Sequence, residues 1–174
     1  MEELRLVIPD ESMLEEIRAY RQSMLEADSS MDGTGSLRRL DAPEWIEHTR
    51  LYTDEATVPE GKVPATQFVC IRVTDGRIVG MIQVRRRLND YLRNFGGHIG
   101  YSVRPDERRK GYASWMLSQV LPYCRELGME RVMISCLVEN EASRRTILRN
   151  GGVYENTVHE ADSHVDLQRY WIKL

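Results

Sequence analysis

The chain has 174 residues, and its 24 Lys and Arg against 27 Asp and Glu leave a formal net charge of −3, which gives no footing for nonspecific nucleic-acid binding. Hydrophobic residues make up 41% of it, enough for one core of ordinary size, so a single domain over 1–174 is expected. No stretch approaches the roughly 18 continuous apolar residues of a membrane span. The acidic start lacks the apolar core of a leader, and Cys70, Cys124 and Cys136 sit apart in apolar surroundings. Reduced thiols and a cytoplasmic location are the expectation.

Residues 4–8 read as a short strand closed by Pro9-Asp10. Met13, Leu14, Ile17, Tyr20, Met24 and Leu25 then recur at helical spacing, which predicts a helix over about 10–27. Residues 28–40 are polar and contain glycine, and a connection of that length points to a functional lid. Asp41 offers an N-cap to a second helix, with Pro43 in its opening turn and Trp45, Ile46, Leu51 and Tyr52 behind it. After a loop over 53–64, residues 67–73 and 77–86 are predicted strands of a hairpin turning at Asp75-Gly76.

A polar connection over 88–97 leads to a strand at 98–103, a basic turn, and a helix whose apolar stripe is Ala113, Met116, Leu117, Val120, Leu121, Cys124 and Leu127. Gly128 suits its C-terminal cap, and Pro122 inside it predicts a kink. Residues 131–138 are apolar on both alternating faces, as in a buried strand. Strand, helix and strand make a βαβ unit whose two strands should be parallel neighbours. A helix over 140–150 ends at Gly151-Gly152, and 153–158 with 168–174 form a last strand pair. The class is mixed α/β.

The junction between the 98–103 strand and the helix concentrates chemistry. Unpaired main-chain N–H groups, a helix dipole and the side chains of Arg108, Arg109 and Lys110 converge there, an arrangement suited to a pyrophosphate. Gly111 lets the backbone approach a ligand, and small Ala113 leaves the first helical turn open. The two familiar glycine-rich phosphate loops are excluded by spacing.

The stretch V-R-P-x-x-R-x-x-G-Y-A here resembles the acetyl-CoA signature of the GNAT superfamily of N-acetyltransferases. Asn140-x-x-Ser143, followed by 147–151, is similar to that family's N-x-x-S helix. The wider pattern GGHIGYSVRPDERRKGYA, NEASRRTILRNGG and RYWIKL resembles a bacterial subgroup with undefined substrates. The resemblance implies an α/β (α+β) fold: a mixed, largely antiparallel sheet with a central parallel βαβ unit splayed to hold acetyl-CoA, and helices on both faces. It implies acetyl-CoA as co-substrate, its pantetheine between the central strands and bonded to main chain at Tyr101, Ser102 and Val103. The pyrophosphate would meet Arg108 and the N–H groups of Arg109, Lys110, Gly111, Tyr112, Ala113 and Ser114. A main-chain N–H near Val103 would face the thioester carbonyl, with Asn140 at the pantetheine and Ser143 and Arg144 beside the coenzyme.

An alkyl ammonium with a pKa of ~10.4 is almost wholly protonated at neutral pH, so attack on a thioester requires a proton acceptor. His98, at the start of the motif strand where many relatives carry a glutamate, is the expected base; a histidine merely hydrogen-bonded at a strand start is the other reading. The helix position at which relatives carry a tyrosine acid is Ile147 here. Cys136 reads as an inert buried thiol rather than a nucleophile, and His159, Asp162, His164 and Asp166 fall in a polar hairpin loop without ligand spacing, so no metal is expected.

The resulting expectation is an acyltransferase moving acetyl from acetyl-CoA to a primary amine of a small molecule or peptide by direct attack. The alternative is a non-catalytic acyl-CoA-binding module acting through protein interaction. Signals for the acceptor conflict, since Glu26, Asp28 and Asp32 suit a cation while Arg38, Arg39 and Arg85 to Arg87 suit an anion. Neither nucleic acid nor membrane is an expected partner, and the terminal strands leave a homodimer open.

Overall fold

The computed structural model describes residues 2–174. Strand β1 (Leu4–Val7) is followed by a 3-10 turn at Glu11–Met13 and helix α1 (Leu14–Glu26). The helix predicted in one piece from residue 10 begins with this tighter turn because the Asp10 carboxylate accepts the Ser12 N–H at 2.9 Å. Helix α2 (Ala42–Leu51) starts after Asp41, as its sequence signals required. Strands β2 (Ala65–Arg72) and β3 (Arg77–Arg85) form the hairpin around Gly76, which takes a left-handed φ of 70°. Beyond them come β4 (Ile99–Val103), α3 (Tyr112–Glu126), β5 (Arg131–Leu137), α4 (Glu141–Arg149), β6 (Val153–Glu160) and β7 (Val165–Lys173). Helix α3 runs on through Pro122, which lies on its solvent face.

The strands form two antiparallel sheets, ordered β1-β2-β3-β4 and β5-β7-β6. Alternation along β2 and β3 sends Val69 and Met81 towards Ile17, Tyr20, Met24, Trp45 and Ile46 of α1 and α2. Ile82 and Val84 go the other way, towards Met116, Leu117, Val120 and Cys124 of α3. Helices thus cover both faces, and α3 bridges the two sheets by packing on Val132, Ile134 and Ile172 as well.

The two central strands are not the hydrogen-bonded neighbours that a simple βαβ reading predicts. β4 ladders only to β3 and β5 only to β7. They meet at one point, where the His98 N–H donates to Met133 O at 2.7 Å, and part beyond it. The chain reaches that point through a π-helical turn at Leu92–Gly96, closed by the Gly97 N–H on Leu92 O at 2.7 Å. Gly97 then takes a φ of 69°, and a Cβ there would stand 2.5 Å from Met133 O, so only glycine allows this approach.

The 28–40 segment is not a free lid either. Thr34 and Leu37 are wholly buried. The Trp45 Nε1–H donates to Thr34 O at 2.7 Å, Gln67 Nε2 to Gly33 O at 2.7 Å, and Arg21 Nε to Leu37 O at 2.8 Å. A segment so held is a wall of the molecule.

Candidate active site

The parting of β4 from β5 leaves one edge of β4 without a strand partner. Bonds from Arg85 N–H to His98 O and from Arg104 N–H to Val79 O turn the even-numbered residues towards β3. Alternation therefore turns the main-chain groups of Ile99, Tyr101 and Val103 to the open edge. Of the three residues expected to meet a pantetheine, Tyr101 and Val103 are so disposed. Ser102 is not: it pairs with Met81 in the ladder, and its buried hydroxyl bonds Tyr20 at 2.9 Å.

Below the open edge, the Tyr101 hydroxyl reaches across to α4 and meets Ser143 Oγ at 2.8 Å. Burial pushes the Tyr101 phenol well above its usual range, the Ser143 hydrogen bond opposing this only in part. Asn140 Oδ1 accepts the Ser143 N–H at 3.1 Å, making Asn140 the N-cap of α4. Arg144 is half-buried and ion-paired with Glu141 at 2.6 Å, and its charge reaches Cys136 and Tyr170. Ile147 is fully buried.

At the C-terminal end of β4, the turn before α3 forms a cradle of main-chain N–H groups, a geometry suited to an anion. Arg109 and Gly111 have positive φ of 64° and 84°, a near-alternating backbone that turns successive N–H groups inwards. No side chain caps α3, which leaves the N–H groups of its first turn, from Tyr112 through Ser114, without a helical partner. A Cβ on Gly111 would meet nothing within 4 Å, so the approach is open.

The side chains expected at this cradle divide. Arg109 is exposed and makes no ion pair among the described residues. Arg108 turns back instead, with Nε on Val103 O at 3.1 Å and Nη2 on Ser29 Oγ at 2.5 Å. Lys110 is paired with Glu107 at 2.6 Å. The Tyr112 ring is buried in the core and its hydroxyl bonds Glu2, so only its main chain belongs to the cradle. Ser114 Oγ accepts from Asn150 Nδ2 at 3.1 Å, joining α3 to the end of α4.

Sequence reasoning missed Glu107. Its carboxylate is 2% exposed and accepts from Arg72 at 2.9 Å, Arg77 at 2.5 Å and Lys110 at 2.6 Å. Burial alone would raise its pKa, but the Lys110 and Arg72 hydrogen bonds overcome this and hold it below the usual value. Glu107 anchors the basic turn to β2 and β3. The available signal was an acid three residues before Lys110 in an otherwise cationic turn.

His98 is also placed differently from a base. It is 9% exposed, and its Nδ1 accepts the Met133 N–H at 2.9 Å. A neutral imidazole that accepts at Nδ1 carries its proton on Nε2, which leaves no free lone pair to take another. Burial, with the charges of Arg85 and Arg131, lowers its pKa to about 4. The geometry corrects the expected role: His98 ties β4 to β5 at the point where they part.

A pocket of about 410 Å³ lies on the α1–α2 side of the first sheet, lined by Gly35, Arg39, Trp45, His48, Gln83 and Arg85 among others. Its walls come from the 28–40 segment, α2, the 61–63 loop, strands β2 and β3, and the 88–97 connection. Arg85 joins it to the start of β4 by donating through Nη1 to Gly96 O at 3.1 Å and Gly97 O at 3.3 Å.

Residues 4–153 match the family described as acetyltransferase (GNAT) domain. An uncharacterised N-acetyltransferase, YoaA of Bacillus subtilis, is 33% identical over 79 residues, 42% of this chain, and the chain spans only 45% of that protein's length. Among solved structures, ribosomal-protein-S5-alanine acetyltransferase from Vibrio fischeri superposes with a TM-score of 0.76 at 15% identity, covering 99% of this chain and 94% of that one. The microcin C7 self-immunity acetyltransferase MccE, in complex with acetyl-CoA and AMP, gives 0.72 at 19% identity over 100% and 94%. At these identities the two structures establish the fold.

Proposed function

The chain belongs to the GNAT acetyltransferase family, and from that premise we propose that it moves an acetyl group from acetyl-CoA to a primary amine of a small molecule or peptide by direct attack. The observation that carries this reading is the uncapped start of α3 beside the unpartnered edge of β4. A diphosphate needs several convergent N–H donors and room for close backbone approach, and the turn from Arg109 to Ser114, with Gly111 open to solvent, offers both.

The coenzyme supplies an activated acyl thioester; the chain supplies placement. Main-chain N–H groups from Lys110 to Ser114 hold the diphosphate, with Arg109 adding charge. The free edges of Val103 and Tyr101 bind the pantetheine amides, which carries the thioester away from the cradle towards the Ile99 end of β4, where a main-chain N–H donates to the carbonyl oxygen as negative charge develops there. The Tyr101–Ser143 bond and the Asn140 cap set the far wall. The amine approaches from the pocket that Arg85 borders and must arrive neutral. Its proton leaves to water or to a pocket group, since His98 is engaged. A thiolate departs readily near its own pKa, so Ile147 in place of a tyrosine is no obstacle.

Titration calorimetry with acetyl-CoA, followed by thiol release in an amine panel, tests the reading. Micromolar binding with acceptor-dependent thiol release is expected. Binding without release from any amine would favour the acyl-CoA-binding module, and absence of binding would remove both.

A further inference from the structure

The pocket beside β3 has an unusual charge. Acids outnumber Lys and Arg by 27 to 24 in the whole chain, yet the pocket is lined by Arg39, Lys62 and Arg85, together with His48, and by no Asp or Glu. The acids that could have suited a cationic acceptor, Glu26, Asp28 and Asp32, are not among its walls. Arg86 and Arg87 turn elsewhere, towards Thr66 and Glu55.

Arg85 is the decisive side chain. Its Nε donates to Gln83 Oε1 at 3.2 Å and its Nη1 to Gly96 O and Gly97 O, all of them neutral acceptors. No carboxylate stands within ion-pairing distance among the described residues. Nη2 makes no hydrogen bond and lies 3.0 Å from where a Cβ on Gly100 would stand, beside the middle of β4. Burial lowers the Arg85 pKa, and Asp32 offsets this only through space. A part-buried guanidinium without a counterion is only partly compensated, and here three neutral bonds hold it with one donor face unspent. Such a group is preorganised for an anion brought from outside.

We propose that the acceptor is a small amine bearing its own anionic group, a carboxylate or phosphate, which pairs with Arg85 and is flanked by Arg39 and Lys62. The volume of about 410 Å³, roughly a dozen water-sized groups, fits a molecule of amino-acid size. The same cations disfavour an ammonium inside the pocket and so favour the neutral amine that attack requires. Polyamines, with no anion and several positive charges, are disfavoured by the cations that line the pocket.

The inference rests on the acetyltransferase reading for the fate of the amine, but not for its binding. Calorimetric titrations of the CoA-loaded protein would use β-alanine and phosphoethanolamine as anionic probes, and ethanolamine and spermidine as the others. Either anionic amine is expected to bind at least tenfold more tightly than ethanolamine, and whichever leads identifies the carboxylate or the phosphate. Arg85→Gln should abolish the preference. Because Arg85 also holds Gly96 and Gly97, an Arg39→Gln/Lys62→Gln double variant, changed only at exposed side chains, is a second test and should weaken anion binding several-fold. Equal binding of ethanolamine, preference for spermidine, or unchanged anion affinity in both variants would overturn the proposal. Anion-selective binding without acetylation would leave it standing and remove the catalytic reading instead.

Discussion

His98 and Met133 clasp each other twice: the His98 N–H donates to Met133 O at 2.7 Å, and the Met133 N–H donates to His98 Nδ1 at 2.9 Å. A side chain thus completes a strand pairing that the backbone abandons one residue later. The Trp171 ring stands edge-on to the imidazole at 6.3 Å, closing the junction from β7. The splay that exposes the β4 edge begins at this clasp.

His98→Ala should therefore cost stability, about 1–3 kcal/mol for a buried N–H left without an acceptor, and His98→Asn, which keeps an acceptor at the Nδ1 position, should recover most of it. The folded imidazole takes a proton only near pH 4, against 6.5 in the unfolded chain. The unfolded chain thus binds more protons between these values. The stability His98 contributes is complete above about pH 6.5 and disappears as pH falls towards 4, a loss of about 3 kcal/mol. Urea unfolding at pH 7.5 and 4.5 should show a pH dependence smaller by that amount in His98→Asn. A kcat/KM profile that loses its acid limb in this variant would instead restore His98 as the base.

Glu107→Ala removes the one carboxylate shared by Arg72, Arg77 and Lys110. Arg72 is only 11% exposed and keeps Asp75 as partner, so a loss of about 3 kcal/mol, at the low end for a broken buried pair, is expected. The basic turn would also lose its tie to β2 and β3. Thermal unfolding should show the first effect and a raised KM for acetyl-CoA the second. Glu107→Gln, which keeps the shape and one acceptor, should fall between.

The elements most legible in the sequence were those whose signals are local. Asp41 with Pro43 marked the start of α2, Asp75-Gly76 marked the β2–β3 turn, and the stripe from Met116 to Cys124 marked α3. The open turn at Gly111 was legible for the same reason, since a helix start leaves N–H donors in need of acceptors and this one has no capping side chain among the described residues. What stayed hidden depends on distant partners. Arg108 reads as a phosphate ligand until Val103 O and Ser29 are seen to hold it. His98 reads as a base until Met133 takes its lone pair. The pinned 28–40 segment hides behind its polar composition, because Trp45, Gln67 and Arg21 supply its bonds from other elements.

Two glycines with similar φ separate strain from space. Gly33, at φ +72°, would place a Cβ 2.2 Å from Gly100 O, whereas Gly111, at φ +84°, meets nothing within 4 Å. Gly33→Ala must push the 28–40 wall off β4 and should destabilise by about 3 kcal/mol or more. Gly111→Ala should cost only about 1 kcal/mol, the backbone penalty alone, yet crowd the cradle and raise the Kd for acetyl-CoA at least tenfold. Gly128→Ala, equally strained at φ +83° and equally open but at the far end of α3, is the control: the same small stability loss with coenzyme affinity unchanged. If Gly111→Ala binds acetyl-CoA as Gly128→Ala does, the diphosphate is not seated on that turn.

Tyr101 tests whether a phenol serves as proton donor. Its hydroxyl is fixed on Ser143 Oγ at 2.8 Å, and burial holds it far above neutrality. An acid so weak gives little help to a departing thiolate, which is stable near its own pKa. Tyr101→Phe should therefore leave kcat within about threefold, lower stability by about 1 kcal/mol for one lost hydrogen bond, and raise the KM for acetyl-CoA several-fold as α4 loosens from β4. Ser143→Ala should reproduce the KM effect, because it breaks the same bond from the other side. A hundredfold fall in kcat for Tyr101→Phe, with Ser143→Ala unaffected, would assign the phenol to the chemistry rather than to the wall.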